Sequence, residues 1–196
     1  MTPDVLIPRP DSETLVEAAL NEFGAQPPAR VIDLGTGSGC LIISLLTEWR
    51  GATGVAVDLS TAALDIARRN AGRLGTSDRM TFECRDFGAA SAERFDLVVS
   101  NPPYIANSVI ETLDPDVRSF EPVLALSGGA DGLGAYRSIA HTLPGLLLPQ
   151  GRAILEIGFD QGESVTRILE NQGLRVLRIV KDLGGHDRVV VACLPH

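Results

Sequence analysis

Three features of the sequence predict an α/β fold built on a seven-stranded, mostly parallel sheet with an antiparallel terminal hairpin. Strand-length apolar runs alternate with helical stripes, the pattern of a sheet covered on both faces. The first buried run, Val31–Leu34, leads straight into Gly35-Thr36-Gly37-Ser38-Gly39, and a helical stripe follows. The last two runs, Leu174–Val180 and Arg188–Cys193, are joined by Asp182-Leu183-Gly184-Gly185. That connection is too short for a crossover helix, so the two strands pair antiparallel.

Each element has its own local reason. A first helix begins after Pro10: Asp11 or Ser12 supplies the cap, Glu13 sits in the first turn, and Leu15, Val16, Ala19 and Leu20 form an apolar stripe. Residues 21–28 read as a loop. The helix after the glycine stretch turns Leu41, Ile42, Leu45 and Leu46 inward, and Gly54–Asp58 is the second strand. Ser60 caps the next helix, which carries Ala63, Leu64 and Ala67 towards Leu74. Met80–Cys84 and Phe95–Ser100 are the third and fourth strands. A long irregular segment, rich in proline and glycine, then runs to about Asp131. A helix over Tyr136–Leu143, a strand over Arg152–Ile157 and a helix over Glu163–Asn171 lead to the terminal hairpin. Trp49 and Leu146-Leu147-Leu148 read as packing, and Arg68-Arg69 as a solvated helix face.

Composition narrows the classes. With 196 residues, 44% hydrophobic and 21% charged, the chain suits one globular domain and not a disordered segment. No apolar run reaches the ~18 residues of a membrane-spanning helix, and the first ten residues contain no apolar core of a signal peptide. Seventeen basic against 25 acidic residues, a net charge of −8, argue against a surface that grips a nucleic-acid backbone. Cys40, Cys84 and Cys193 form neither a CxxC pair nor a disulfide framework, which suits a reduced, cytoplasmic protein. His141, His186 and His196 have no ligand spacing, so no metal site is expected.

Two loops carry the chemistry. In Gly35–Gly39, glycines let a backbone approach a ligand closely, and the following helix offers free N–H groups. The dinucleotide fingerprint G-x-G-x-x-G fails here, because its third glycine would fall on Cys40. A tight turn without a ligand is the plain alternative; the strand before and the helix after favour a binding loop. Asp58, at the end of the second strand, can accept both hydroxyls of a ribose. The second loop is Asn101-Pro102-Pro103-Tyr104, after the apolar fourth strand. Pro102 pushes Asn101 into an extended conformation and holds it stiffly, with an amide donor and an amide acceptor to offer. Tyr104 offers a flat aromatic wall. Ligands of open α/β sheets bind outside the carboxyl ends of strands, where both loops fall.

The G-x-G-x-G loop resembles that of Class I S-adenosylmethionine-dependent methyltransferases, a Rossmann-like fold. That resemblance implies cofactor contacts from Gly35, Thr36, Gly37, Ser38, Gly39, Asp58 and Asn101. It adds Asp86 towards the adenine amine and Phe87 against the ring; core packing is the alternative for Phe87, where many relatives carry tryptophan. The NPPY loop resembles that of enzymes methylating planar or amide nitrogens of adenine, guanine or glutamine. Such a nitrogen has a delocalised lone pair and is a poor nucleophile. The Asn101 side-chain oxygen and the Pro102 carbonyl would accept its hydrogens and orient it, and positioning of this kind can supply several kcal/mol of a barrier. No strong base is needed first, because the proton leaves once the nitrogen is positive.

The stretch Val5-Leu6-Ile7-Pro8-Arg9-Pro10-Asp11-Ser12-Glu13 resembles the I-P-R-P-[DE]-[ST]-E segment of the HemK/PrmC family, protein-(glutamine-N(5)) methyltransferases acting on the Gly-Gly-Gln loop of peptide chain release factors. Phe120-Glu121-Pro122, Gly128–Gly132, Glu156-Ile157-Gly158 with Gln161-Gly162, and Asp182-Leu183 with Asp187-Arg188 extend the likeness over essentially the whole chain. It implies S-adenosylmethionine as cofactor, S-adenosylhomocysteine as product, release factors as partners, Asn101–Tyr104 as the glutamine site, and Arg9 and Glu121 as pocket walls. An Arg9–Glu121 ion pair bracing the site is the alternative for those two. The family carries a small helical domain before the IPRP segment, so the expectation is a single catalytic domain over 1–196, with a leading segment over 1–28 and the core over 29–196. A base amino-methyltransferase and an inert cofactor-binding module are the rival readings.

Overall fold

Strand burial follows sequence pattern closely enough to explain the order of the sheet. The computed structural model describes residues 5, 12–89, 93–110, 112 and 122–195. Seven strands, β1 (Arg30–Leu34), β2 (Thr53–Asp58), β3 (Met80–Cys84), β4 (Phe95–Ser100), β5 (Leu147–Glu156), β6 (Arg175–Lys181) and β7 (Asp187–Cys193), form one sheet in the order β3-β2-β1-β4-β5-β7-β6. β7 alone runs antiparallel to both its neighbours. The expected terminal hairpin is therefore present, but its second strand is inserted between β5 and β6. Sequence explains the choice: β7 carries the run Val189–Cys193, buried throughout, which needs cover on both faces. β6 exposes Arg175, Arg178 and Lys181 at intervals and takes the edge, where charge discourages further pairing.

Helices α1 (Glu13–Phe23), α2 (Cys40–Glu48), α3 (Thr61–Leu74), α4 (Asn107–Ile110), α5 (Val123–Leu126), α6 (Gly134–Leu146) and α7 (Gly162–Asn171), with a 3-10 turn at Ser77–Arg79, lie between and around the strands. α1 and α2 cover one face, where Leu15, Ile42, Leu45 and Leu46 pack on Val31, Leu97 and Val191. α6 and α7 cover the other, with Tyr136, Ile139, Leu143 and Val165 on Ile32, Val98 and Leu155. Glu22 pins α1 to two distant strands, pairing with Arg152 at 2.7 Å and Arg178 at 2.5 Å. Burial works against its charge, but these two guanidinium groups outweigh burial and hold its carboxyl below the ordinary range. At the far edge, Asp182 closes the β6–β7 turn by accepting from His186 N at 3.0 Å and from Arg188 Nε and Nη2 at 3.1 and 3.0 Å.

Three details differ from expectation. Ser12 stands at the N-cap position of α1 but makes no side-chain cap bond; its hydroxyl serves elsewhere. The segment expected to be irregular up to Asp131 contains the single-turn helices α4 and α5, tied by an isolated bridge between Ile105 and Ser127. β5 begins at Leu147, directly after α6, because Leu147 pairs with Phe95 ahead of a register shift.

The site is positioned by strand order. β1 pairs with β2 on one side and β4 on the other, so the chain direction across the sheet reverses between them. A crevice opens outside the carboxyl ends at such a point. The loops after β1 and β4 are Gly35–Gly39 and Asn101–Tyr104.

Candidate active site

The glycine loop is held by its own neighbourhood. Gly35, Gly37 and Gly39 have φ of 75°, 54° and 79°, the region that favours glycine. Gly39 also lacks room: a Cβ there would stand 2.8 Å from Ile43 Cδ1 and 3.1 Å from Ala67 Cβ. The amides of Gly35 and Thr36 both donate to Val57 O at 2.9 Å. Asp58 ends β2 beside this loop, its Oδ2 accepting from Gly37 N at 2.8 Å and its Oδ1 from Ser60 N at 2.9 Å. Those two bonds orient the carboxylate and leave each oxygen a further lone pair. Ser60 caps α3 as expected, its Oγ accepting from Ala63 N at 3.2 Å. Beneath the loop lies Asp33, fully buried, with Oδ2 accepting from Thr36 Oγ1 at 2.7 Å and Oδ1 without a hydrogen-bond partner among the described residues. Burial, more than the hydrogen bond from Thr36 can offset and with Asp58 nearby, pushes the Asp33 carboxyl up to about 7.

The second loop is held by residues far away in sequence. Ser100 Oγ donates to Leu34 O at 2.6 Å and ties the end of β4 to the end of β1. Asn101 Nδ2 donates to Ser12 Oγ at 3.2 Å, and Ser12 Oγ donates to the buried Glu156 Oε2 at 2.7 Å. Gln161 Nε2 donates to Tyr104 O at 3.0 Å and Gly132 O at 3.3 Å, while its Oε1 accepts from Gly158 N at 3.0 Å and Tyr136 Oη at 3.4 Å. Gly132, with φ 75°, lies so close that a Cβ would stand 2.5 Å from Tyr104 O.

Both loops open onto one cleft of about 460 Å³. Gly35, Thr36, Gly37 and Ser38 line it from β1, and Asp58, Asp86 and Phe87 from the ends of β2 and β3. Asn101 and Pro103 line it from β4. Gly39 supports the loop from behind. Pro102 is buried, and Tyr104, expected as a wall, packs against the core and lies outside the cleft lining. Phe87 rests on the core and also lines the cleft. Arg9 and Glu121 lie outside the described residues. Sequence reasoning missed Ser12, read as a cap, and the partnership of Glu156 and Gln161 with the second loop. Their signal was present as resemblance, in the segments around Ser12 and Glu156–Gly162, but no local pattern told what they touch. Asp86 Oδ1 accepts from Gly88 N at 2.6 Å, which fixes the turn after β3. Among the described residues no group of His, Cys, Asp and Glu could hold a metal ion, and no helix is long and apolar enough to cross a membrane.

A family described as "Methyltransferase small domain" matches residues 11–114. A release factor glutamine methyltransferase of Cereibacter sphaeroides is 50% identical over 195 residues, covering 100% of this chain and 69% of that protein. One from Rhodospirillum rubrum is 47% identical over 189 residues, covering 96% of this chain and 58% of that protein. Among solved structures, a ribosomal protein L11 methylase from Lactobacillus delbrueckii subsp. bulgaricus superposes with a TM-score of 0.70 at 18% identity, over 96% of this chain and 81% of that one. A glycopeptide N-methyltransferase complexed with S-adenosylmethionine gives a TM-score of 0.63 at 19% identity, over 94% of each chain. These two likenesses speak for the fold alone.

Proposed function

The chain belongs to the release factor glutamine methyltransferase family, and on that premise we propose that it methylates the side-chain amide nitrogen of the glutamine in the Gly-Gly-Gln loop of peptide chain release factors, with S-adenosylmethionine as donor. The observation that carries this reading is the shared cleft: a stiffly held amide, Asn101, opens onto the same space as the glycine loop and Asp58.

The residues present fit the cofactor. A cleft of about 460 Å³ lies within the usual range for small ligands, roughly 300–1,000 Å³. The backbone at Gly35 and Gly37 has no Cβ to keep a ligand away, Asp58 retains acceptor capacity for ribose hydroxyls, and Asp86 with Phe87 offers an acceptor and a ring for adenine. Bound there, S-adenosylmethionine supplies an electrophilic methyl group and leaves as S-adenosylhomocysteine. The chain's own part is orientation. The Asn101 side-chain oxygen and the Pro102 carbonyl accept the two N–H groups of the glutamine amide, which fixes the nitrogen and excludes the rotations it would have in water. Pro102 and Pro103 keep that acceptor pair stiff, so little ordering remains to be done on binding.

The test is methyl transfer from labelled S-adenosylmethionine to a purified release factor, beside a release factor with the loop glutamine replaced. Labelling of the first alone is expected. Labelling of both, or of total RNA in a parallel lane and neither protein, would overturn the assignment.

A further inference from the structure

Asn101 can serve as an acceptor for a substrate N–H only if its oxygen, and not its NH2, faces the substrate. The two ends of an amide have the same shape, so some neighbour must decide between them. Resting on the reading above, we propose that Ser12 and Glu156 are positioning residues that set the polarity of the Asn101 amide. The chain of contacts runs Asn101 Nδ2 to Ser12 Oγ at 3.2 Å, then Ser12 Oγ to Glu156 Oε2 at 2.7 Å. A serine hydroxyl has one proton to donate. Glu156 takes that proton, so Ser12 can only accept from Asn101. Asn101 must therefore turn its NH2 to Ser12 and its Oδ1 the other way. The far end of the chain is buried: Glu156 is 1% exposed and Ser12 7%. A reversed amide would leave two oxygens facing each other across a part-buried contact. The three residues come from the start of α1, the end of β4 and the end of β5, and both Ser12 and Asn101 line the cleft.

Three variants separate polarity from mere packing. Ser12→Ala removes the relay. Glu156→Gln keeps its volume but can present an NH2 to Ser12, which lets Ser12 donate to Asn101 Oδ1 and reverses the amide. Ser12→Thr keeps the hydroxyl. Ser12→Ala and Glu156→Gln should each lower kcat on the order of tenfold to a hundredfold, with the cofactor Kd held within about twofold; Ser12→Thr should restore most of the rate. A second readout does not depend on substrate. The Asn101 side-chain 15NH2 signals, identified by their loss in Asn101→Ala, should show nuclear Overhauser contacts to the Ser12 β-protons in the unmodified chain, and these should weaken in Glu156→Gln. Their absence from the unmodified chain, or a full kcat in Ser12→Ala, would overturn the proposal. Failure of the unmodified chain to label release factor, with the Overhauser contacts present, would instead overturn the substrate assignment and leave the polarity relay supported.

Discussion

The two loops that border the cleft are built on opposite principles. Gly35–Gly39 is fixed from nearby: Thr36 bonds to Asp33 three residues before it, Gly37 to Asp58 at the end of the next strand, and the loop amides to Val57. Asn101–Tyr104 is fixed from afar: Ser12 lies 89 residues before Asn101, and Gln161 lies 57 residues after Tyr104. The first loop can take its shape as soon as β1, β2 and α2 meet. The second exists in working form only when both ends of the chain have docked. The glycine loop should therefore tolerate changes at α1 and α7 that disable the Asn101–Tyr104 loop.

The largest expected effect lies under the glycine loop and concerns stability. Asp33 has its carboxyl raised from an ordinary 3.8 to about 7 by burial first, so the folded chain keeps a proton that the unfolded chain has already released. Stability contributed at this position should fall as pH rises from about 4 to about 7 and stay level above that. The full span is on the order of 4 kcal/mol as an upper bound. Asp33→Asn, whose amide oxygen can still accept from Thr36, should flatten that slope; denaturant titrations of both proteins across this pH range would show it. Equal slopes would mean that Asp33 is ionised in the folded state.

Next comes Asn101→Ala. Transfer should drop on the order of a hundredfold or more, with cofactor affinity nearly unchanged. Isothermal calorimetry with S-adenosylhomocysteine and single-turnover transfer separate the two, and full activity in the variant would end the amide-orientation mechanism.

A pair of glycine substitutions sharpens the contrast. Gly39→Ala and Gly132→Ala both place a side chain at positive φ and at contacts of 2.8 and 2.5 Å, and each should destabilise the fold by about 1–3 kcal/mol. Their functional signatures should differ. Gly39→Ala should weaken cofactor binding, because the strain falls on the loop at α2. Gly132→Ala should spare cofactor binding and lower transfer, because the intruding Cβ pushes on the Tyr104 carbonyl. Identical signatures would show that the two loops are not independent.

The smallest effect is expected at Gln161. Gln161→Ala removes the bond to Tyr104 O and should cost about 1 kcal/mol of stability, a shift of roughly 2–4 °C in Tm. Transfer should fall more than cofactor affinity does. A variant with unchanged kcat would place the stiffness of the second loop in its prolines alone.

Much of this was legible in residues 30–100, where the third and fourth strands stand where the apolar runs put them and the glycine loop follows its strand directly. Ser60 capped its helix as its type and place suggested. Ser12, an equally good cap by type, did not. The difference lies in the backbone: Ser12 is already helical, with φ −69° and ψ −15°, whereas Ser60 is extended, with φ −90° and ψ 113°, the conformation from which a cap side chain reaches the first turn. Tyr104, read from its place beside the prolines as a wall, packs against the core and does not line the cleft.

Periodicity, turn chemistry and capping are local forces, so one sequence window suffices to read strands, helices and the shape of the glycine loop. Strand order is not local. That β4 lies against β1, and that β7 slips between β5 and β6, follows from which apolar surfaces cover one another once the whole chain is present. The cleft depends on the first of these adjacencies. The polarity of Asn101 depends on β5 and α1 as well, because Ser12 and Glu156, 144 residues apart, meet only after the sheet and its first helix have closed around them.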